Sequence, residues 1–273
     1  MKPLLVATDL DSCLLDENYG HVAADPALLA LRERGVPVVL ASSKTQAEVE
    51  PLWRELKLQA PFIVENGGAV VFPGRPADPR LRRLGRFYSL DLGTPRGVLV
   101  AALLEIGRET GARLTSFAAL RPQRVAEITG LTPLAARRAC ERRFDEPFLC
   151  DEAHVGRVCR AAERRGLRVT RGGRFLHLTG PVDKGRAFQE LGRLWAPAGV
   201  ERVRVGFGDS PNDTGLLRAV DRPIVVPRPG GAPDAELAQA LPDAERAPSP
   251  GPAGWNAAVL AVLEGRALPR LAA

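Results

Sequence analysis

Five short runs of apolar residues recur along the chain without the polar alternation of a half-exposed strand. They occupy residues 4–7, 36–41, 62–64, 203–207 and 223–226. Runs of this length, mostly Val, Ile and Leu, are typical of strands that are covered on both faces. The pattern therefore predicts a parallel sheet with helices on either side.

The segment between the first two runs is predicted to be a helix. It reads "DPALLALRERG", with Pro26 near its start and Gly35 at its end. Proline in the first helical turn and glycine just past the last turn are common helix boundaries. Strand, helix and strand in succession favour parallel pairing. We therefore predict an α/β fold with a Rossmann-like parallel-sheet core.

The middle of the chain has a different pattern. The stretches "RFYSLDL" and "ARLTSFAAL" are predicted strands, and "LRVTRGGRFLHLTG" is a predicted strand pair with a turn at Gly172 and Gly173. Helical segments separate them, and a double glycine is a favourable hairpin turn. This pattern predicts a core domain made of residues 1–81 and 182–273, with an inserted α/β unit at 82–181.

Composition limits the classes of protein that remain. The chain has 273 residues, 45% hydrophobic and 26% charged, and a net charge of +6. Positive charge suits an anionic small molecule or nucleic acid, but it is spread along the chain without a dense basic block. With no long apolar segment, we expect a cytoplasmic protein that binds neither membrane nor nucleic acid. Its four cysteines have no metal-binding spacing.

Charged and hydroxyl side chains follow several of the predicted strands. They are Asp9 and Asp11 after the first run, Ser42 to Thr45 after the second, Asp209 and Asp213 after the fourth, and Lys184 where a helix begins after the inserted unit. In open parallel sheets, sites form at the carboxyl ends of strands. Four carboxylates at one edge need a counter-charge, and hard oxygen ligands suit Mg²⁺. The sequence therefore predicts a magnesium site formed by Asp9, Asp11, Asp209 and Asp213.

This arrangement resembles the haloacid dehalogenase superfamily of phosphatases. The matching stretches are "DLDSC" at 9–13, Ser42, Lys184 and "GDSPND" at 208–213, in the order of the family's four motifs. One departure is Cys13, where the family usually has Thr. The resemblance implies that Asp9 attacks phosphorus, that Asp11 exchanges protons with the leaving group and with water, and that Lys184 and Ser42 bind the phosphate.

The position of the inserted unit resembles the Cof-like, type IIB branch, in which an α/β cap covers the site. A finer resemblance, to the mannosyl-3-phosphoglycerate phosphatase family, rests on "SSKTQAE", "ERRFDEPF" and "GGRFLHLTGPVDKG". It implies hydrolysis of 2-O-mannosyl-3-phosphoglycerate, a phosphorylated sugar-glycerate, to mannosylglycerate. The predicted substrate-binding residues are Ser42, Ser43, Lys44, Thr45, Arg142, Arg174 and Asn212. Arginine is a suitable partner for the glycerate carboxylate.

Other functions remain open at this stage. A broader sugar-phosphate phosphatase, including one for glucosyl-3-phosphoglycerate, differs by one epimeric hydroxyl, and a phosphomutase uses the same core residues. A phosphosugar sensor without turnover is supported by net charge alone. No ligand role is predicted for His21, His154 or His177. Residues 65–68, "ENGG", fit either a simple turn or a substrate-facing loop.

Overall fold

The computed structural model describes residues 2–172, 175–195 and 200–271. The strands in this part of the chain are β1 (Leu4–Thr8), β2 (Val38–Leu40), β3 (Phe62–Val64), β4 (Ala69–Phe72), β5 (Arg82–Leu84), β6 (Phe87–Asp91), β7 (Thr115–Ser116), β8 (Asp145–Leu149), β9 (Arg168–Gly172), β10 (Phe175–Thr179), β11 (Val203–Gly208), β12 (Arg222–Val225) and β13 (Glu245–Arg246).

The α-helices of the described residues are α1 (Asp25–Glu33), α2 (Gln46–Glu55), α3 (Arg96–Thr110), α4 (Pro122–Thr129), α5 (Pro133–Cys140), α6 (Glu152–Glu163), α7 (Lys184–Trp195), α8 (Thr214–Arg218), α9 (Ala235–Ala240) and α10 (Gly251–Leu263). Short 3₁₀ turns lie at Val22–Ala24, Glu65–Gly67, Phe117–Ala119 and Pro211–Asp213. Within the described ranges, no helix has both the length and the apolar composition needed to cross a bilayer.

The core is an all-parallel sheet in the order β13-β12-β11-β1-β2. β3 continues it beyond β2 through a parallel bridge between Ala41 and Ile63. Side chains of β1 alternate between the two faces: Val6 packs in the cluster that contains α1 and α10, whereas Leu5 and Ala7 pack with α7. Both faces are thus covered, and the predicted α/β fold with a parallel core is confirmed.

A second sheet extends the core. It is antiparallel, in the order β3-β4-β6-β5. Strands β5 and β6 lie within the predicted inserted unit, but β6 hydrogen-bonds to β4 of the outer part of the chain. The division into domains stays a prediction, and this pairing favours a first boundary near residue 92 instead of 82. Periodicity alone could not show which sheet β6 would join.

The inserted unit contains an antiparallel sheet in the order β7-β8-β10-β9. Helices α3 and α6 pack on this sheet through Leu99, Leu103, Ile106 and Val158. The predicted hairpin at the end of the unit is present, with Gly172 of β9 paired to Phe175 of β10. The turn between them, including Gly173 and Arg174, lies outside the described residues.

One glycine allows the core turn after β3 to approach the start of α7. Gly67 has φ of +93°, and a Cβ built on it would lie 2.2 Å from the Asp183 carbonyl oxygen. A side chain at this position would therefore require both a strained backbone and a shift of the chain beside Lys184. The turn at Glu65–Gly67 is thus fixed against the residue that begins α7.

Candidate active site

The carboxyl ends of the parallel strands bring together the residues that the sequence singled out. Asp9 directly follows β1, Ser42 lies two residues beyond β2, and Asp209 directly follows β11. β1 lies between β2 and β11 in the sheet, so these three positions are neighbours at one edge. We call Asp9, Asp11, Ser42, Lys184, Asp209 and Asp213 the catalytic rim.

Lys184 is the central cation of the catalytic rim. It is the first residue of α7 and is fully buried. Its Nζ donates hydrogen bonds to Asp9 Oδ1 at 2.8 Å and to Asp213 Oδ1 at 2.6 Å. Burial alone would lower the pKa of Lys184, but the Asp213 and Asp9 carboxylates raise it well above its ordinary value. The lysine therefore stays protonated and holds the two carboxylates in place.

Asp213 organises the loop after β11. While Oδ1 accepts from Lys184, Oδ2 accepts hydrogen bonds from the backbone N–H groups of Asp209 at 3.0 Å and Ser210 at 3.1 Å. A Cβ at Gly208 would lie 2.4 Å from that of Asp213, so this close packing requires glycine. Both carboxylate oxygens of Asp213 are engaged by the protein, which favours a positioning role over direct metal contact.

Three buried carboxylates lie close enough to hold one cation. Asp9, Asp209 and Asp213 each offer an oxygen within 4.8 Å of the others. Burial and the Asp213 carboxylate raise the pKa of Asp9 to about 7 and that of Asp209 to about 8. One lysine does not balance three carboxylates, so the residues fit a hard divalent cation such as Mg²⁺. Of the predicted metal set, the Asp11 side chain points elsewhere.

The Asp11 carboxylate is paired with Lys44. The Lys44 Nζ lies 3.0 Å from Asp11 Oδ1 and 4.5 Å from the centre of the Tyr19 ring. Burial would lower the pKa of Lys44, but Asp11 and Glu48 raise it. The predicted general acid is thus held by a half-buried cation that comes from the turn after β2.

The turn Ser42–Thr45 was predicted to bind substrate, and some of its side chains also stabilise the fold. Ser42 is buried, and its Oγ accepts a hydrogen bond from the Lys44 N–H at 3.1 Å. Thr45 caps α2 together with Glu48, and its hydroxyl also donates to the Arg138 carbonyl at 2.8 Å. A buried hydroxyl with both partners in the protein is not free for a ligand. This geometry favours a capping role for Thr45, and the predicted substrate contact stays a prediction.

A cavity of about 420 Å³ opens over the catalytic rim and reaches the inserted unit. Such a volume is ordinary for a small-molecule site. Predicted residues on its lining are Asp9, Asp11, Ser43, Lys44, Arg142, Asp209 and Asn212. The cavity thus joins Asp9 and Asp11 to four of the predicted substrate-binding groups, whereas Ser42, Thr45 and Lys184 are fully buried and are not part of its lining. Arg174, also predicted to bind substrate, lies outside the described residues.

The inserted unit contributes what we call the cap wall: Phe117, Arg142, Asp145, Phe175 and His177. Arg142 is buried and donates to the carbonyl oxygens of Ser43 and Ala139. The Phe117 and Phe175 rings meet edge to face, with centroids 5.0 Å apart. All but Asp145 line the cavity. On the side that lines the cavity, the cap wall therefore presents two aromatic rings, Phe117 and Phe175, and two polar side chains, Arg142 and His177.

Sequence reasoning missed His177 and Arg228 and left the role of Asn66 open, since residues 65–68 fitted either a turn or a substrate-facing loop. His177 and Arg228 line the cavity, and Asn66 bridges its two sides by donating to Asp145 and accepting from Asn212 at 3.0 Å. Arg228 follows a predicted strand end, the same signal that identified Asp9. His177 lies within "GGRFLHLTG", but only its pairing with Asp145 distinguishes it from other buried histidines.

Comparison with known proteins assigns the family. Residues 6–76 match the model of the haloacid dehalogenase-like hydrolases. A glucosyl-3-phosphoglycerate/mannosyl-3-phosphoglycerate phosphatase of Methanococcoides burtonii is 36% identical, covering 94% of this chain and 96% of the relative. The chain belongs to the haloacid dehalogenase-like hydrolases. A second phosphatase of the same description, from Persephonella marina, is 35% identical over 95% of this chain and 97% of its own length.

Solved structures of haloacid dehalogenase-like hydrolases share this fold. A Thermoplasma acidophilum protein superposes with a TM-score of 0.67 at 19% identity, covering 94% of this chain and 96% of that one. A subclass IIB sugar phosphatase superposes with a TM-score of 0.66 at 14% identity over 96% of this chain and 98% of that one. These structures show the shared fold, while the family resemblance expected from the sequence is confirmed by the two relatives described above.

Proposed function

We propose that this chain is a Mg²⁺-dependent phosphatase that hydrolyses mannosyl-3-phosphoglycerate, with glucosyl-3-phosphoglycerate as a second substrate. The observation that carries the chemistry is the buried Lys184, whose Nζ lies 2.8 Å from Asp9 at the core side of the cavity. The two relatives, named for both phosphorylated glycosylglycerates, support the choice of substrate.

In the first step an Asp9 carboxylate oxygen attacks phosphorus and the bond to the glycerate oxygen breaks. Asp11 donates a proton to that departing oxygen, and the phosphoryl group becomes an aspartyl-phosphate on Asp9. The Lys184 ammonium stabilises charge that develops on the phosphoryl oxygens. Its second bond, to Asp213, fixes its direction while Asp9 changes from carboxylate to acyl phosphate.

In the second step water attacks the phosphorus of the aspartyl-phosphate. Asp11, now a carboxylate, takes the proton of that water, the bond between Asp9 and phosphorus breaks, and inorganic phosphate leaves. Lys44 holds the Asp11 carboxylate at 3.0 Å. The same pair therefore orients the base in both steps.

Asp9 and Asp209 are the carboxylates of the catalytic rim that would hold Mg²⁺, with the Asp11 backbone carbonyl beside them. The raised pKa values of both carboxylates fit a cation of this kind. When bound, Mg²⁺ neutralises phosphate charge and helps to align it with Asp9. Asp213 supports the site through its hydrogen bonds to the Asp209 and Ser210 backbone.

The cavity also fits a substrate with two anionic groups. Besides Lys184 at the phosphoryl position, the cations Lys44, Arg142 and Arg228 lie on its lining. Lys44 and Arg228 come from the core side, beside Asp11 and Asp209. A glycerate carboxylate, two bonds from the carbon that bears the phosphate, would meet these core-side cations.

Phosphate release from a substrate panel tests the proposal. The panel holds mannosyl-3-phosphoglycerate, glucosyl-3-phosphoglycerate, sucrose 6-phosphate, mannose phosphates and 3-phosphoglycerate, each with Mg²⁺ and with EDTA. We expect EDTA-sensitive release, fastest from the first two compounds. Release only from simple sugar phosphates would contradict the substrate assignment, and turnover that requires a sugar bisphosphate activator would indicate a mutase.

A further inference from the structure

The cap wall holds a histidine in a fixed orientation. The His177 Nδ1 lies 2.9 Å and 3.0 Å from the two oxygens of Asp145. His177 is only 5% exposed and Asp145 is fully buried. Asn66 also donates to Asp145 at 2.6 Å, from the core turn after β3. The imidazole therefore has one ring orientation, set by a carboxylate that is itself held from the core.

The charge of Asp145 fixes the tautomer of the histidine. Burial would raise the pKa of Asp145, but the nearby His177 and Arg142, together with hydrogen bonds from His177 and Asn66, lower it. An ionised carboxylate only accepts hydrogen bonds, so the His177 Nδ1 carries the proton. The Nε2 atom is then the group available to a ligand. It lies next to Gly172, whose hypothetical Cβ would be 3.1 Å away, and His177 lines the cavity.

Arg142, the other polar side chain of the cap wall that lines the cavity, already donates two hydrogen bonds within the protein. Arg142 donates from Nη1 to the Ser43 carbonyl at 3.0 Å and from Nε to the Ala139 carbonyl at 3.1 Å. Its guanidinium also lies 5.7 Å from the centre of the Phe117 ring. Phe117 and Phe175 make the surrounding surface apolar. This end of the cavity therefore suits a neutral, hydroxyl-bearing ring more than a second anion.

The connectivity of the proposed substrate places its sugar ring at the cap-wall end of the cavity. Its phosphate is on C3 of glycerate, its carboxylate is C1, and its sugar is attached through the oxygen on C2. With the phosphate against Asp9 and Lys184, the sugar is the end of the molecule that extends furthest from the catalytic rim. The carboxylate remains near the core-side cations Lys44 and Arg228.

We propose that His177 is a specificity-determining residue whose Nε2 hydrogen-bonds a hydroxyl of the sugar ring, and that Asp145 is its positioning residue. This inference rests on the proposed function and deepens it. A hydroxyl both donates and accepts hydrogen bonds, so it complements Nε2 whether or not that nitrogen carries a proton. The faces of Phe117 and Phe175 supply the apolar surface against which the carbons of a sugar ring pack.

The test compares substrates with and without the sugar. His177→Asn keeps an amide N–H where Nδ1 donates to Asp145 but removes the atom at Nε2, whereas His177→Gln reaches the Nε2 position. For the Asn variant we expect KM for both glycosyl-3-phosphoglycerates to rise about fivefold to tenfold, the effect of one hydrogen bond, with kcat nearly unchanged. The inhibition constant of 3-phosphoglycerate, measured as a competing ligand, should stay within about twofold of the wild type. The Gln variant should recover most of the lost affinity.

His154→Asn is the matched control, since His154 lies on α6 and is not part of the cavity lining. It should change none of these constants, and thermal unfolding checks that all variants fold. An equal loss of affinity for 3-phosphoglycerate, or no loss for the glycosylated substrates, would overturn the role of His177. If the wild-type protein releases no phosphate from either glycosylated substrate while hydrolysing others, the proposed function itself fails, and the inference fails with it.

Discussion

The catalytic rim and the cap wall face each other across one cavity but are built in different ways. The rim residues lie at the ends of neighbouring parallel strands, so sheet order alone brings Asp9 and Asp209 together. The cap wall depends on contacts between distant segments, such as Asn66 with Asp145 across 79 positions in sequence. The chemistry is therefore set by topology, whereas recognition of the substrate is set by long-range packing.

The largest expected effect is the loss of activity, without loss of stability, when Asp9 of the catalytic rim is replaced. Asp9→Asn removes the attacking carboxylate while keeping the side-chain shape, so phosphate release should fall at least about a thousandfold. Because Asp9 is a destabilising buried carboxylate without metal, the variant should unfold no earlier than the wild type in EDTA. Steady-state phosphate release and thermal unfolding check both points, and near-normal turnover would contradict Asp9 as nucleophile.

A backbone change should disturb the rim through the core turn. Gly67→Ala places a methyl group 2.2 Å from the Asp183 carbonyl at a positive φ. We expect a loss of about 3 kcal/mol of unfolding free energy and reduced activity, because Lys184 follows Asp183. Urea denaturation measures the first effect.

Gly74→Ala is the control for this experiment, since no atom lies within 4 Å of the Cβ that it would add. The control should behave like the wild type. Equal stability of the two variants would show that the turn after β3 does not constrain the start of α7.

Removing a carboxylate from the rim should stabilise the protein while abolishing activity. Ionising the buried Asp209 destabilises the native state as pH rises from its unfolded pKa towards about 8. In EDTA, Asp209→Asn should therefore have an unfolding free energy higher than that of the wild type by about 1 kcal/mol or more. Its unfolding temperature should be a few degrees higher. The difference should be larger at pH 8 than at pH 5.

Calorimetry at both pH values measures this, and addition of Mg²⁺ supplies the control. The cation should raise the unfolding temperature of the wild type and have little effect on Asp209→Asn. A variant that is less stable than the wild type in EDTA would contradict the idea that like charges crowd the rim.

The smallest expected effect concerns the turn between the two regions. Thr45→Val removes the cap of α2 and the hydrogen bond to Arg138, so we expect a loss of about 1 kcal/mol in unfolding free energy. KM should stay within about twofold of the wild type if the hydroxyl does not touch substrate. Thr45→Ser retains the hydroxyl and should restore stability; a selective rise in KM for Thr45→Val would support the original prediction of substrate contact.

Much of the fold and of the catalytic rim was predictable because it depends on local signals. Uninterrupted apolar runs marked the parallel strands, and polar residues directly after them marked the rim. The roles within the rim were less predictable. Sequence could not show that Asp213 uses both oxygens on Lys184 and the backbone, or that Asp11 pairs with Lys44.

The pairing of β6 and the contacts of the cap wall were harder to predict for a physical reason. β6 fitted either sheet, since pairing with β4 depends on surfaces that periodicity does not describe. His177 carried no recognisable spacing, because its partner Asp145 lies on the neighbouring strand β8, two residues before Pro147, the residue that pairs with His177. Antiparallel neighbours place residues together according to register, and register cannot be derived from a single strand.

Two hydrogen bonds described above join the inserted unit to the turn after β2. Arg142 Nη1 donates to the Ser43 carbonyl, and Thr45 Oγ1 donates to the Arg138 carbonyl. Any movement of the inserted unit away from the core has to break both bonds. Both involve residues adjacent to Lys44, in the turn that begins with Ser42. If the inserted unit moves to widen the cavity, the break therefore falls on the turn that contains Ser42, the residue predicted to bind the phosphate. Release of product and rearrangement of that turn would then occur together.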